Sequence, residues 1–130
     1  MVSGSCHCGT VSWTFEGTPK SATSCTCTVC RRYAVLWAYG YEGENIKVSG
    51  PTRTYAREEK NIGFHFCEVC GCMAYHRDLN ADKDGRRETA VNLRLAEPED
   101  VAAIPIRRFD GLTTWKDMPD RGEHVRDLWS

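Results

Sequence analysis

The sequence predicts a mostly β, single-domain metal-binding fold with short helical turns. Three observations carry this reading. Strand-period alternation recurs along the 130 residues, eight cysteines gather into three tight groups, and a helical pattern shows only once.

The first alternating run places Val11, Trp13 and Phe15 on one face and Thr10, Ser12, Thr14 and Glu16 on the other, with Gly17-Thr18-Pro19 closing it. Residues 33–41 are poor in helix formers and read as a strand, with Val35, Trp37, Tyr39 and Tyr41 on one face. Shorter strands are expected over Ile46–Val48, Thr52–Arg57 and Cys72–Arg77. Ile62, Phe64 and Phe66 alternate with Gly63 and His65 and lead into Cys67. Residues 80–85 read as an exposed hairpin loop. After it, Thr89, Val91, Leu93 and Leu95 alternate with Ala90, Asn92 and Arg94. Glu97–Ala103 is the helical segment, with Pro98 and acidic residues in its first turn and Pro105 stopping it.

Composition narrows the function. Hydrophobic residues make up 41% and charged residues 27%, an ordinary globular balance, and no repeat is visible. Net charge is −1, and the basic residues are scattered in pairs such as Arg31-Arg32, Arg86-Arg87 and Arg107-Arg108. Nucleic-acid binding needs a concentrated basic face, which this pattern lacks. The longest apolar run, Tyr33–Tyr41, falls far short of the roughly 20 residues that span a bilayer, so no membrane partner is expected. Met1–Ser5 has neither the basic start nor the apolar stretch of a secretory signal. The expected compartment is the cytoplasm, where thiols stay reduced and clustered cysteines signal metal or redox chemistry.

The cysteine groups are Cys6-His7-Cys8, then Cys25, Cys27 and Cys30, then Cys67, Cys70 and Cys72. Spacings of one or two residues let a single turn deliver two sulfurs to one ion, at about 2.3 Å for zinc. Gly9 and Gly71 each follow a cysteine, so the chain can turn sharply and aim backbone N–H groups at thiolates. Core cysteines would instead follow the alternation of their strands. Disulfides within such short pairs would close strained loops and stabilise little. Spacing alone leaves the grouping open: Cys6 and Cys8 can join Cys67 and Cys70, or two of the middle three. Where the two pairs make a closed four-sulfur site, the remaining group of Cys25, Cys27 and Cys30 has three sulfurs and a vacant fourth position that can take a substrate atom.

The run Gly4-Ser5-Cys6-His7-Cys8-Gly9, the run Cys25-x-Cys27-x-x-Cys30-Arg31-Arg32 and the run Phe66-Cys67-x-x-Cys70-Gly71 together resemble the glutathione-dependent formaldehyde-activating enzyme family, which also contains centromere protein V. Asn92–Leu95 and Phe109-Asp110-Gly111 are similar to that family too. The resemblance implies a β-tent fold over residues 1–130 carrying two zinc ions. Cys6, Cys8, Cys67 and Cys70 match its structural zinc site, and Cys25, Cys27 and Cys30 its catalytic one. It further implies a carbon–sulfur lyase that adds the glutathione thiol to formaldehyde or another small aldehyde. The partners are then a small-molecule thiol and an aldehyde.

Arg31 and Arg32 directly follow the three-cysteine group and are candidates for the two glutathione carboxylates, since arginine pairs with carboxylates bidentately. Cys72 reads as a small strand residue; as a fourth ligand it would close the second site. His7 and His65 read as a spacer and a strand residue. The aromatic face of Trp37, Tyr39 and Tyr41 is a candidate pocket wall. A methionine sulfoxide reductase would need a cysteine late in the chain, and the last one here is Cys72. The competing reading is a non-catalytic zinc-binding module.

Overall fold

The computed structural model describes residues 1–129, and in it the alternating segments pair into two sheets. Strands β1 (Val2–Ser5), β2 (Ser12–Phe15) and β5 (Ile46–Ser49) form a three-stranded antiparallel sheet. The larger sheet runs in the order β11 (Lys116–Asp117), β10 (Ile106–Asp110), β3 (Ala22–Cys25), β4 (Trp37–Tyr41), β9 (Glu88–Asn92), β8 (Met73–Asp78), β7 (Ile62–Cys67), β6 (Thr52–Ala56). It is antiparallel except where β10 lies parallel to β3, with Ile106 opposite Ala22 and Phe109 opposite Cys25. The fold is mostly β, as expected.

Alternation puts Trp13 and Phe15 of β2 in the interior, against Leu36, Ile46, Leu93 and Val101. Gly4 faces Trp13 across the β1–β2 pair, and a Cβ there would come within 2.5 Å of the indole ring. Glycine is therefore required for the indole to lie flat on β1. A second, smaller cluster packs Trp37, Phe64 and Met73 around Cys27 and Cys30. The interior is thus divided, with each cysteine group at the edge of one apolar cluster.

Two segments depart from the sequence reading. Residues 33–41 are not one strand. Helix α1 (Cys30–Tyr33) precedes β4, and Ala34 ends it in the left-handed conformation with φ 54°. The guanidinium of Arg94 donates to the Ala34 carbonyl at 2.6 Å, a long-range contact that stabilises this break. Residues 89–95 stop being a strand at Asn92, whose side chain accepts from the Leu36 and Arg94 N–H groups and donates to the Met73 carbonyl. With that cap in place, Leu93–Leu95 turns into a 3₁₀ helix. The expected helix shrinks to α2 (Pro98–Val101), and a further 3₁₀ turn covers Val125–Leu128. No helix among the described residues is long and apolar enough to cross a membrane.

Candidate metal centres and substrate cavity

Cys6 and Cys8 lie on the turn after β1, where Gly9 takes φ 83° and donates to the Cys6 carbonyl. Cys67 ends β7, and the turn to Cys70 closes with Gly71 at φ 79°, donating to the Cys67 carbonyl. Positive φ at these two glycines is what lets each turn double back within a few residues. The four sulfurs lie within 4.8 Å of one another. The Cys6–Cys8 and Cys8–Cys67 separations are both 3.6 Å. A tetrahedron of metal–sulfur bonds near 2.3 Å puts its sulfurs about 3.8 Å apart, so the group fits one ion. Backbone N–H groups of Val11, Val69 and Cys70 already point at these sulfurs, at 3.2, 3.4 and 3.5 Å.

The sulfurs of Cys25, Cys27 and Cys30 also lie within 4.8 Å of one another. They sit at the end of β3, in the connecting loop and at the start of α1. Among the described residues no further cysteine, histidine or carboxylate joins them. Cys72 is not part of either group; its carbonyl accepts from Cys67 N–H and its side chain packs on the large core. All eight cysteines are free thiols. Hydrogen bonds from Cys25 and Cys30 hold the Cys27 sulfur far below an ordinary thiol, at about 2, whereas the same contacts push Cys25 and Cys30 up. Three neighbouring thiols release a single proton easily and the next two with difficulty, because like charges at this distance repel. A cation relieves that repulsion, so the donor set suits a soft metal ion. The Cys27 and Cys30 N–H groups and the Trp37 indole N–H each donate to one of these sulfurs, at 3.4, 3.3 and 3.3 Å.

The second group opens onto a cavity of about 970 Å³. Its wall includes Tyr39, Phe109 and Trp115, together with the cations Lys20, Arg57 and Arg107. Arg31 lies on a separate hollow of about 430 Å³ that shares Cys25 and Cys30 with the first. Arg32 is exposed and donates to the Thr28 carbonyl at 2.8 Å.

The sequence model of the family described as glutathione-dependent formaldehyde-activating enzyme matches residues 1–103, which include all seven cysteines of the two groups. The chain belongs to that family. A crystal structure of a Rhodobacter sphaeroides protein is similar to it in fold, with a TM-score of 0.61 and 25% identity over 80% of this chain and 98% of the other. No curated protein matches this chain significantly. The family is one of glutathione and formaldehyde chemistry, and its shared segment holds both candidate metal centres. Residues 104–130, which supply Arg107, Phe109 and Trp115 to the cavity, lie beyond the matched segment.

His76 is a cavity residue that sequence reasoning missed. It stands opposite Phe64 on β7 and Ala90 on β9, on the face that carries the three-cysteine cluster, and alternation along β8 was the available signal. Its ring meets Trp37 edge-on at 4.6 Å, and its Nδ1 is buried without a hydrogen-bond partner among the described residues. His65 is buried on the opposite face, stacked on Tyr75 at 4.6 Å, with Nδ1 2.8 Å from the Thr52 hydroxyl. Burial lowers both imidazoles to about 4.

Each histidine thus stays neutral in the folded chain and regains a value near 6.5 when unfolded. The stabilisation is full above 6.5 and is lost as pH falls toward 4, because the unfolded chain binds the proton first. Urea midpoints of the metal-loaded protein should fall between pH 7.5 and 5, with His76 alone contributing on the order of 1–2 kcal/mol. His76→Gln should flatten that slope while leaving the part linked to cysteine protonation. An unchanged slope in the variant would show that His76 is not neutral in the fold.

Proposed function

We propose that the protein is a zinc-dependent carbon–sulfur lyase of the S-(hydroxymethyl)glutathione synthase type, joining the glutathione thiol to formaldehyde or another small aldehyde. The observation behind this reading is the three-sulfur group on the wall of a cavity large enough for a tripeptide. The cytoplasm, with its reduced thiols and its glutathione, is the proposed location. Zinc held by Cys25, Cys27 and Cys30 would favour the ionised form of a fourth sulfur and so supply the nucleophile. Around it the chain's own groups do the rest. The Cys27, Cys30 and Trp37 N–H donors stabilise the negative charge on the cysteine sulfurs. The cavity walls hold thiol and aldehyde together, which is where most of the rate gain arises.

Glutathione brings two carboxylates. Lys20, Arg57 and Arg107 face the larger cavity and are the first choice for them. Lys20 makes no ion pair among the described residues, whereas Arg107 is already bound to Asp117 at 2.6 Å. Arg31 and Arg32 remain the second choice, favoured by Arg31's place on the smaller hollow beside the same sulfurs. The two choices separate cleanly: Lys20→Ala weakens glutathione if it lies in the larger cavity, and Arg31→Ala if it lies in the smaller. The effective variant should cost about 1–3 kcal/mol, as expected for a charge-assisted contact.

Calorimetric titration of the zinc-loaded protein, in buffers of different ionisation enthalpy, tests the reading itself. Glutathione should bind with release of a proton. Its affinity should rise as pH climbs toward about 8.5, the value of a free cysteine thiol. S-methylglutathione has no proton to lose and should bind more weakly, with no release. Equal binding of the two, without proton release, would favour a zinc module that has no catalytic role.

A further inference from the structure

The cavity beside the three sulfurs has an aromatic side that neither glutathione nor formaldehyde accounts for. Glutathione is polar and charged at both ends, and formaldehyde has two heavy atoms. The space of about 970 Å³ stands at the top of the roughly 300–1,000 Å³ range of small-molecule sites. Trp115, Phe109 and Tyr39 line it, and Trp115 is still 60% exposed. Core burial therefore does not explain an indole at this position.

The turn between β10 and β11 is built to hold that indole in place. The Asp110 carboxylate accepts from the N–H groups of Leu112, Thr113 and Thr114 and from the Thr114 hydroxyl, at 2.9–3.1 Å. Trp115 N–H donates to the Asp110 carbonyl at 2.7 Å. Trp115 itself takes φ 57°, a left-handed conformation that a bulky residue adopts only when its surroundings enforce it. Its ring meets Phe109 edge-on, with centroids 5.8 Å apart. Gly111 anchors the same turn directly against Cys25 and Cys27. The aromatic wall is thus rigidly tied to the sulfurs. Trp115 and Phe109 lie beyond the family match, which ends at residue 103, whereas Tyr39 lies within it.

Resting on the lyase reading above, we infer that the aldehyde substrate carries an apolar, ring-sized substituent, which Trp115, Phe109 and Tyr39 hold while its carbonyl carbon lies at the sulfur end of the cavity. The thiolate of glutathione attacks that carbon and the carbon–sulfur bond forms. The carbonyl π pair moves to oxygen, which takes up one proton in place of the one the thiol released. The product is a hemithioacetal, and nothing is oxidised or reduced.

Phenylacetaldehyde is a suitable probe, and S-(2-phenylethyl)glutathione mimics its adduct without the hydroxyl group. Calorimetry on the zinc-loaded protein compares this thioether with S-methylglutathione, so that ionisation of sulfur plays no part. The phenylethyl compound should bind about tenfold more tightly. Trp115→Ala should bring the ratio close to one while the variant still carries two metal ions per chain, which shows the sulfur groups to be intact. Trp115→Phe should keep most of the ratio. The kcat/KM for phenylacetaldehyde, relative to formaldehyde, should fall in Trp115→Ala by the same factor. If glutathione binds with proton release but the two thioethers bind alike, or if their ratio survives Trp115→Ala, the inference is overturned and the lyase reading stands. If glutathione releases no proton and neither aldehyde reacts faster, both are overturned.

Discussion

Cys67→Ser is expected to leave the chain largely unfolded, whereas Cys27→Ser leaves it folded with one metal ion fewer. The difference follows from what each group ties together. Cys6 and Cys8 follow β1 of the small sheet, and Cys67 ends β7 of the large one. Cys8 and Cys67 are 59 residues apart in sequence, with sulfurs 3.6 Å apart in space. A metal there joins the two sheets and closes a long loop, much of whose ordering cost the metal–sulfur bonds must offset. Apparent binding energies of structural zinc, about 10–16 kcal/mol, match or exceed the roughly 5–15 kcal/mol stability of a whole domain. Cys6 and Cys67 are also buried in the main core, so a hydroxyl there adds a desolvation cost. Cys25, Cys27 and Cys30 span only one loop between β3 and α1, and bridge nothing distant. Elemental analysis should give two ions per wild-type chain and one for Cys27→Ser. Circular-dichroism melts should show a cooperative transition for Cys27→Ser and none for Cys67→Ser. Equal disruption of both variants would refute this division of roles.

Gly111→Ala should empty the second centre without unfolding the protein. A Cβ at Gly111 would lie 2.6 Å from the Cys25 sulfur, 2.8 Å from the Cys27 Cβ and 3.1 Å from the Cys27 nitrogen. Contacts that short require something to move, and the atoms in the way belong to the candidate metal ligands Cys25 and Cys27 and to the Cys27 backbone. The Asp110 turn on the other side is too firmly hydrogen-bonded to absorb the displacement. We expect a loss of about 1–3 kcal/mol in stability, as for other overpacked sites. Metal content should fall from two ions to one, and proton-releasing glutathione binding should disappear. Retention of both ions in a variant of normal stability would mean that the turn yields.

Much of the candidate site was legible in the cysteines because the turns that cluster thiols are local. A Cys-x-Cys or Cys-x-x-Cys turn needs only its own spacing and a neighbouring glycine to present two sulfurs, and Gly9 and Gly71 take the expected positive φ. Strand alternation was equally local, and β2 and β7 formed where Trp13 and Phe64 predicted them. Failures came where a distant residue decided the outcome. Residues 33–41 alternate like a strand, yet Arg94, sixty positions away, holds the Ala34 carbonyl where the helix ends. The alternation of residues 89–95 continues past Asn92, but that side chain diverts the backbone through bonds to Leu36 and Met73.

The sequence by itself determined the mostly β class, the three cysteine groups as candidate metal-binding elements and the family, because each depends on residue types a few positions apart. Only the tertiary structure decided which groups come together, since spacing allowed more than one pairing and packing of the small sheet against the large one brings Cys8 to Cys67. It also decided what faces the second centre. Lys20, Tyr39, Arg57, His76 and Trp115 come from separate parts of the chain and share one cavity only because the sheet order sets β10, β3, β4, β9, β8 and β7 side by side. A cavity wall is assembled from long-range strand pairing, and no local spacing rule encodes it.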